Sequence, residues 1–172
     1  MSEPDQLRRR IEAAEDAFGH AHGRPQFEPG LNASADAEAG EVQIQKACRL
    51  LEVTDEIDAS GRYYGAILEH SFIAIEHTLQ GYLLAVTGIE PHELRNHTTP
   101  YALSKGRVPI EDETVERLQR LYDARRTEHY YGTTVTTRAQ AESMRAVAEA
   151  GHRHLVEFDH RLSRYCNCST ET

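Results

Sequence analysis

Arg62-Tyr-Tyr-Gly-Ala-Ile-Leu-Glu-His-Ser-Phe-Ile-Ala-Ile-Glu-His-Thr-Leu-Gln-Gly-Tyr-Leu-Leu-Ala-Val-Thr87 is the stretch that decides the fold. Leu68, Phe72, Ile75, Leu79, Tyr82 and Val86 follow one another at steps of 4, 3, 4, 3 and 4. That is the period of a single helix face turned toward a core. Gly88 then ends the run. The same period recurs on both sides of it. Upstream, helical patterning from about Ser34 to Asp58 carries Ile44, Ala47 or Cys48, and Leu51. Downstream, a helix opened by the acids Glu111 and Asp112 buries Val115, Leu118 and Tyr122. A last helix begins at Thr137, where Gln140 completes a T-x-x-Q capping box. Its stripe is Ala141, Met144, Ala148, Gly151, Leu155, Phe158 and Leu162.

No segment alternates with a two-residue period, so strands are not expected. The stretch from Ile89 to Pro109 is broken by Pro91, Pro100 and Gly106 and reads as a long connection, with one short helical turn at Tyr101-Ala-Leu-Ser. Residues 2–19 form a short amphipathic helix carrying Leu7, Ile11, Ala14 and Phe18. A Gly/Pro-broken linker follows, in which His20 and His22 read as solvated. The expected fold is all-α: an antiparallel helical bundle of four main helices (residues 34–168), with an extra N-terminal helix on a flexible lead (1–33) and a disordered tail (169–172).

The 172-residue chain is long enough for one domain with a proper core. Its net charge of −9 is unevenly spread, because residues 1–60 hold 13 acids against 6 bases. From Arg117 to Arg138 the balance reverses locally, with five arginines against Asp123 and Glu128. Contact with nucleic acid should therefore be local and salt-sensitive. Lysine occurs only at positions 46 and 105. No apolar run reaches membrane-spanning length and no signal-peptide core opens the chain, so a soluble cytoplasmic protein with no membrane contact is expected.

The chemistry concentrates in Leu121-Tyr-Asp-Ala-Arg-Arg-Thr-Glu-His-Tyr-Tyr-Gly132. On a continuous helix, Arg125 and His129 are i,i+4 neighbours, and Arg126 and Tyr130 form a second such pair. A guanidinium beside an imidazole stabilises a helix poorly, but it grips a phosphate and sets a proton-transfer group next to it. The competing reading is a solvated helix end, with cations near the last carbonyls. Elsewhere, Glu69-His70 and Glu76-His77 lie about 10 Å apart along one helix, too far to share a metal. Glu76 can instead orient an arginine from a facing helix. Arg145 with His152, and Arg153 with His160, read as a solvated cationic face. Cys48 reads as a small core residue, and Cys166-Asn167-Cys168 supplies two ligands at most, too few for a structural zinc site. Neither a metal nor a cofactor is expected. Phosphate-loop and nucleophile-elbow motifs are absent from the sequence.

Taken in order, these elements resemble a HEPN domain (higher eukaryotes and prokaryotes nucleotide-binding). Three pieces carry the likeness: Ser71 to Leu84 with the acid at Glu76, Asn96-His97 followed by Tyr101-Ala-Leu, and Leu118 to Gly132 before the Ala-rich last helix. The resemblance implies a homodimer that cleaves RNA without a metal, as ribonuclease toxins of that family do. Arg125, Arg126 and His129 would then be catalytic, Tyr130 and Tyr131 would bind substrate, and Glu76 would support them. Family ribonucleases separate their arginine and histidine by four to six residues. Here three residues lie between Arg125 and His129, and two between Arg126 and His129. Arg126 to Tyr131-Gly132 also fits a variant pattern, Arg-x-x-x-x-Tyr-Gly. The family's members with that pattern are non-cleaving and accompany a nucleotidyltransferase, as a toxin accompanies its antitoxin. The alternatives are thus a nucleotide- or RNA-binding module paired with a nucleotidyltransferase, and a structural helical adaptor.

Overall fold

The computed structural model describes residues 3–19 and 28–168; side chains are described for 6–19, 28–125, 128 and 132–168. Helix α1 spans Glu3–Gly19, α2 Ala39–Ala59, α3 Tyr64–Tyr82, α4 Thr99–Ser104, α5 Asp112–Tyr131, α6 Arg138–Phe158 and α7 His160–Tyr165. The described residues contain helices and no strand, as the periodicity predicts. The four main helices are α2, α3, α5 and α6. No helix among the described residues is long and apolar enough to cross a membrane.

Helix α3 is the central element because it is apolar on more than one face. The predicted stripe residues Leu68, Phe72, Ile75, Leu79 and Tyr82 are buried, and so are Ile67, Ala74 and Thr78 beside them. Helices α2 and α6 pack against it, α4 lies between α3 and α5, and α7 folds back onto α6 and α2. The last turns of α3 widen into a π-helical turn, Leu83–Thr87. Gly88 closes that turn in the left-handed conformation, with φ 73°, where a Cβ would be strained.

Helices α2 and α3 meet through paired glycines. A Cβ on Gly81 would stand 2.6 Å from Ile44 Cδ1 and 3.2 Å from the Gly40 carbonyl oxygen. Ile44 is fully buried and cannot swing aside. Gly81→Val should therefore destabilise the protein by about 1–3 kcal/mol through overpacking. Gly151 on α6 has open space around its Cβ position, so Gly151→Ala should stabilise by up to about 1 kcal/mol through helix propensity. Urea melts of both variants check the pair, and equal effects would mean that close helix approach is not what Gly81 serves.

The structure departs from the sequence reading at three places. The helical pattern expected from about Ser34 begins at Ala39. The single last helix expected through Leu162 is broken at Asp159, which leaves the helical region and accepts the Arg161 N–H on its side chain. An aspartate competes well as an N-cap, and the break leaves Phe158 exposed while Leu162 returns to the core. The cationic face expected of Arg145, His152, Arg153 and His160 is solvated only at Arg153 and His160. Arg145 pairs with Asp55 and Asp58 of α2 and with Glu149, and His152 is 4% exposed.

The apolar residues of α1, among them Leu7, Ile11 and Phe18, are exposed. Residues 28–32, by contrast, are held to the bundle. Glu28 pairs with Arg49, the Asn32 side chain donates to Glu41, and Asn167 donates to the Gly30 carbonyl.

Candidate functional site

Helix α5 remains helical through Tyr131, so the Arg–His segment lies on one continuous element. Its acidic first turn (Asp112, Glu113) suits a helix N-terminus. Its inner face is seated by Val115 and Tyr122. That seating fixes the angular position of the residues one turn further on. The Arg125 side chain reaches a cleft of about 310 Å³ lined by Leu68, Arg125, Glu128, Thr134, Val135, Thr136, Thr137 and Gln140. The Thr137–Gln140 capping box forms one wall, with Gln140 N–H donating to Thr137 Oγ1 and Thr137 N–H donating to Gln140 Oε1. Arg125 Nη1 donates to Glu128 Oε2, one turn along. The side chains of Arg126, His129, Tyr130 and Tyr131 lie outside the described residues.

Glu76 sits on the buried face of α3, 4% exposed. Its carboxylate contacts His97 Nδ1 at 2.8 and 3.1 Å. The sequence allows Glu76 to orient an arginine from a facing helix; the structure adds a partner in the histidine-bearing loop. Asn96 organises this loop by accepting the backbone N–H groups of Thr98 and Thr99 on its side chain. Around the pair, the Tyr122 ring lies 5.7 Å from Phe72, edge to face, and 5.6 Å from Tyr101. Tyr101 is fully buried, and its hydroxyl finds no hydrogen-bond partner among the described residues. Burial, with the Glu76 charge second, drives its phenol far above the ordinary range. Tyr101→Phe should therefore leave stability unchanged or raise it by up to about 1–2 kcal/mol, since it removes a desolvated, unsatisfied group. A loss of more than 1 kcal/mol in denaturant melts would reveal a bond made by that hydroxyl.

A second cluster assembles where α2, α6 and the segment after α7 meet. Cys48, His152, Cys166 and Cys168 bring their ligand atoms within 4.8 Å of one another. His152 Nε2 lies 3.4 Å from each of the three sulfurs, and the Cys48 and Cys166 sulfurs are 3.3 Å apart. Cys48 and His152 are buried, and the two tail cysteines are half-buried. All three cysteines are free thiols. Hydrogen bonds from Cys168 and Cys48 hold the Cys166 thiol far below its ordinary range. The Cys168 thiol is pushed up by its bonds to Cys166 and Cys48.

The imidazole is oriented from its far side. His152 Nδ1 lies 2.8 Å from Thr78 Oγ1, and that hydroxyl donates to the Ala74 carbonyl at 2.8 Å. A hydroxyl has one proton, so with both bonds made Thr78 accepts from Nδ1–H. This leaves the Nε2 lone pair facing the sulfurs. In the sequence Cys166 and Cys168 stand out only as a pair, two ligands at most. Cys48 carries no signal beyond its apolar surroundings, and His152, expected on a solvated face, is buried.

Comparison with curated proteins and with solved structures finds no match for this chain. The family model described as a domain of unknown function (DUF8154) matches residues 2–168, and the chain belongs to that family.

Proposed function

We propose that this protein is a HEPN-like RNA-handling protein, in which the C-terminal turn of α5 grips a phosphodiester and His129 serves as general base on the ribose 2′-hydroxyl. The observation that carries this reading is the unbroken helix through Tyr131 beside the threonine-lined cleft. Helical geometry sets positions 125 and 129 one turn apart, the reach needed to hold a phosphate oxygen and move a proton beside it. Arg125 and Arg126 would offset charge developing on the phosphate in self-transesterification. Tyr130 and Tyr131 would stack on a base or bind a phosphate oxygen. Two copies facing each other would concentrate positive charge that a chain of net −9 otherwise lacks.

A second reading is favoured by one contact. Arg125 already holds Glu128, and a carboxylate competes with phosphate for the same guanidinium. In that reading the protein binds RNA or a nucleotide without cleaving it and works with a nucleotidyltransferase partner.

One experiment separates the two. Labelled RNA is incubated with the full chain in magnesium-free buffer, followed by gel analysis and filter binding, with light scattering on the same sample. Cleavage by a species of about twice the 19.4 kDa chain mass supports the ribonuclease reading. Salt-sensitive binding without cleavage supports the binding module, and no binding of RNA or nucleotide removes both.

A further inference from the structure

We propose that Cys48, His152, Cys166 and Cys168 form a structural zinc centre that clamps the C-terminal tail onto α2 and α6. This site is independent of the RNA-handling surface on α5.

Three thiolates and one imidazole make a complete Cys₃His ligand set, which zinc takes up as a tetrahedron. Zinc bonds of about 2.3 Å to sulfur and about 2.0 Å to nitrogen separate tetrahedral ligand atoms by about 3.5–3.8 Å. Four of the six separations, at 3.3–3.4 Å, need only a few tenths of an ångström of expansion, and the other two are at most 4.8 Å. Equal spacing of Nε2 from all three sulfurs is the pattern of ligands arranged around a common centre. The Ala74–Thr78–His152 chain fixes the tautomer whose Nε2 can coordinate, as partners of metal-bound histidines do.

Soft sulfur donors select zinc over magnesium or calcium. Four protein ligands leave no open position for a water, so the centre holds structure rather than activating a nucleophile. Binding converts three thiols to thiolates with release of their protons, and the loaded centre carries a net charge of −1. The ligands lie 104 residues apart from Cys48 to His152, and 14 and 16 from His152 to the two tail cysteines. The ion therefore closes a long loop and anchors the segment that, through Asn167, also holds Gly30.

The test uses the full chain purified anaerobically with zinc supplied. Plasma emission should find one zinc per chain. Replacing it with cobalt(II) should give the sulfur-to-cobalt charge-transfer band and intense red d–d bands of a thiolate-rich tetrahedral site. Thr78→Val should keep the stoichiometry but weaken zinc affinity about 10- to 100-fold in chelator competition, because it removes the orienting bond. Cys168→Ser changes only a half-buried tail residue and should lose the three-thiolate cobalt spectrum while keeping its helical circular dichroism. The proposal is overturned if folded wild-type chain takes up neither zinc nor cobalt. It is equally overturned by a cobalt spectrum without sulfur bands, or by a Cys48–Cys166 disulfide in the anaerobic protein.

Discussion

Chelating the metal from the Cys₃His centre is expected to lower the melting temperature by about 10 °C. A ligand present at about a thousand times its dissociation constant stabilises the folded state by about 4 kcal/mol. For a chain of this size each kcal/mol moves the midpoint by about 2–4 °C. The loss should fall on one region. The Ile44–Gly81 contact does not involve the tail, and the buried Leu162 holds α7 in the shared core, so helicity should persist while residues 166–168 release. Calorimetry with and without chelator measures the shift, and hydrogen exchange locates it. The same chelator should leave the midpoint of Cys168→Ser nearly unmoved. An equal drop in that variant would mean that the chelator acts elsewhere. Zinc affinity should also weaken as pH falls, because protons compete for the thiolates.

The other large effect is expected at His129. Replacing it by alanine should lower RNA cleavage by about 10²–10⁴-fold while leaving RNA affinity nearly unchanged, because a general base acts on the transition state. Arg126→Ala should weaken binding too and flatten its salt dependence, having removed a phosphate contact. Glu128→Gln should act in the opposite sense. It frees Arg125 from an ion pair whose partners are 41% and 54% exposed, and exposed pairs contribute about 0.2–1 kcal/mol. Affinity for RNA should then rise by up to about fivefold. Stopped-time cleavage and filter binding across a salt series separate the three effects. If His129→Ala cleaves as fast as the parent, proton transfer by His129 is wrong, and another group serves as the general base. These assays need a buffer free of magnesium that leaves the Cys₃His centre loaded. A strong chelator used to prove metal independence would attack the tail clamp as well.

Wherever burial follows a local period, the chain could be read in advance. Leu68, Phe72, Ile75, Leu79 and Tyr82 on α3, Val115 and Tyr122 on α5, and Ala141, Met144, Ala148 and Leu155 on α6 are buried as their spacing requires. The capping box at Thr137 and Gln140 was legible for the same reason, since both of its bonds lie within four residues. The break at Asp159 was not. The apolar stripe continues in sequence from Leu155 to Leu162, and a single capping side chain overrides it.

The Arg–His segment was found from residue types alone, yet its cleft depends on where residues 134–140 return beside α3 and α5. Glu76 was singled out as an acid on a core-facing helix. That one partner is His97, 21 residues away, is a matter of how the loop before α4 folds. The four-ligand centre lies furthest from local inference. Cys48 is a small apolar-looking residue on α2, His152 has arginines nearby in sequence, and the tail cysteines make half a site. Helix periodicity reports which way a side chain faces on its own helix, and so the helices and the core they share were legible in the order of residues. Metal-ligand geometry is set by atoms meeting across more than a hundred residues, and only the packing of α6 against α3, with the tail folded back over α2, brought those atoms together.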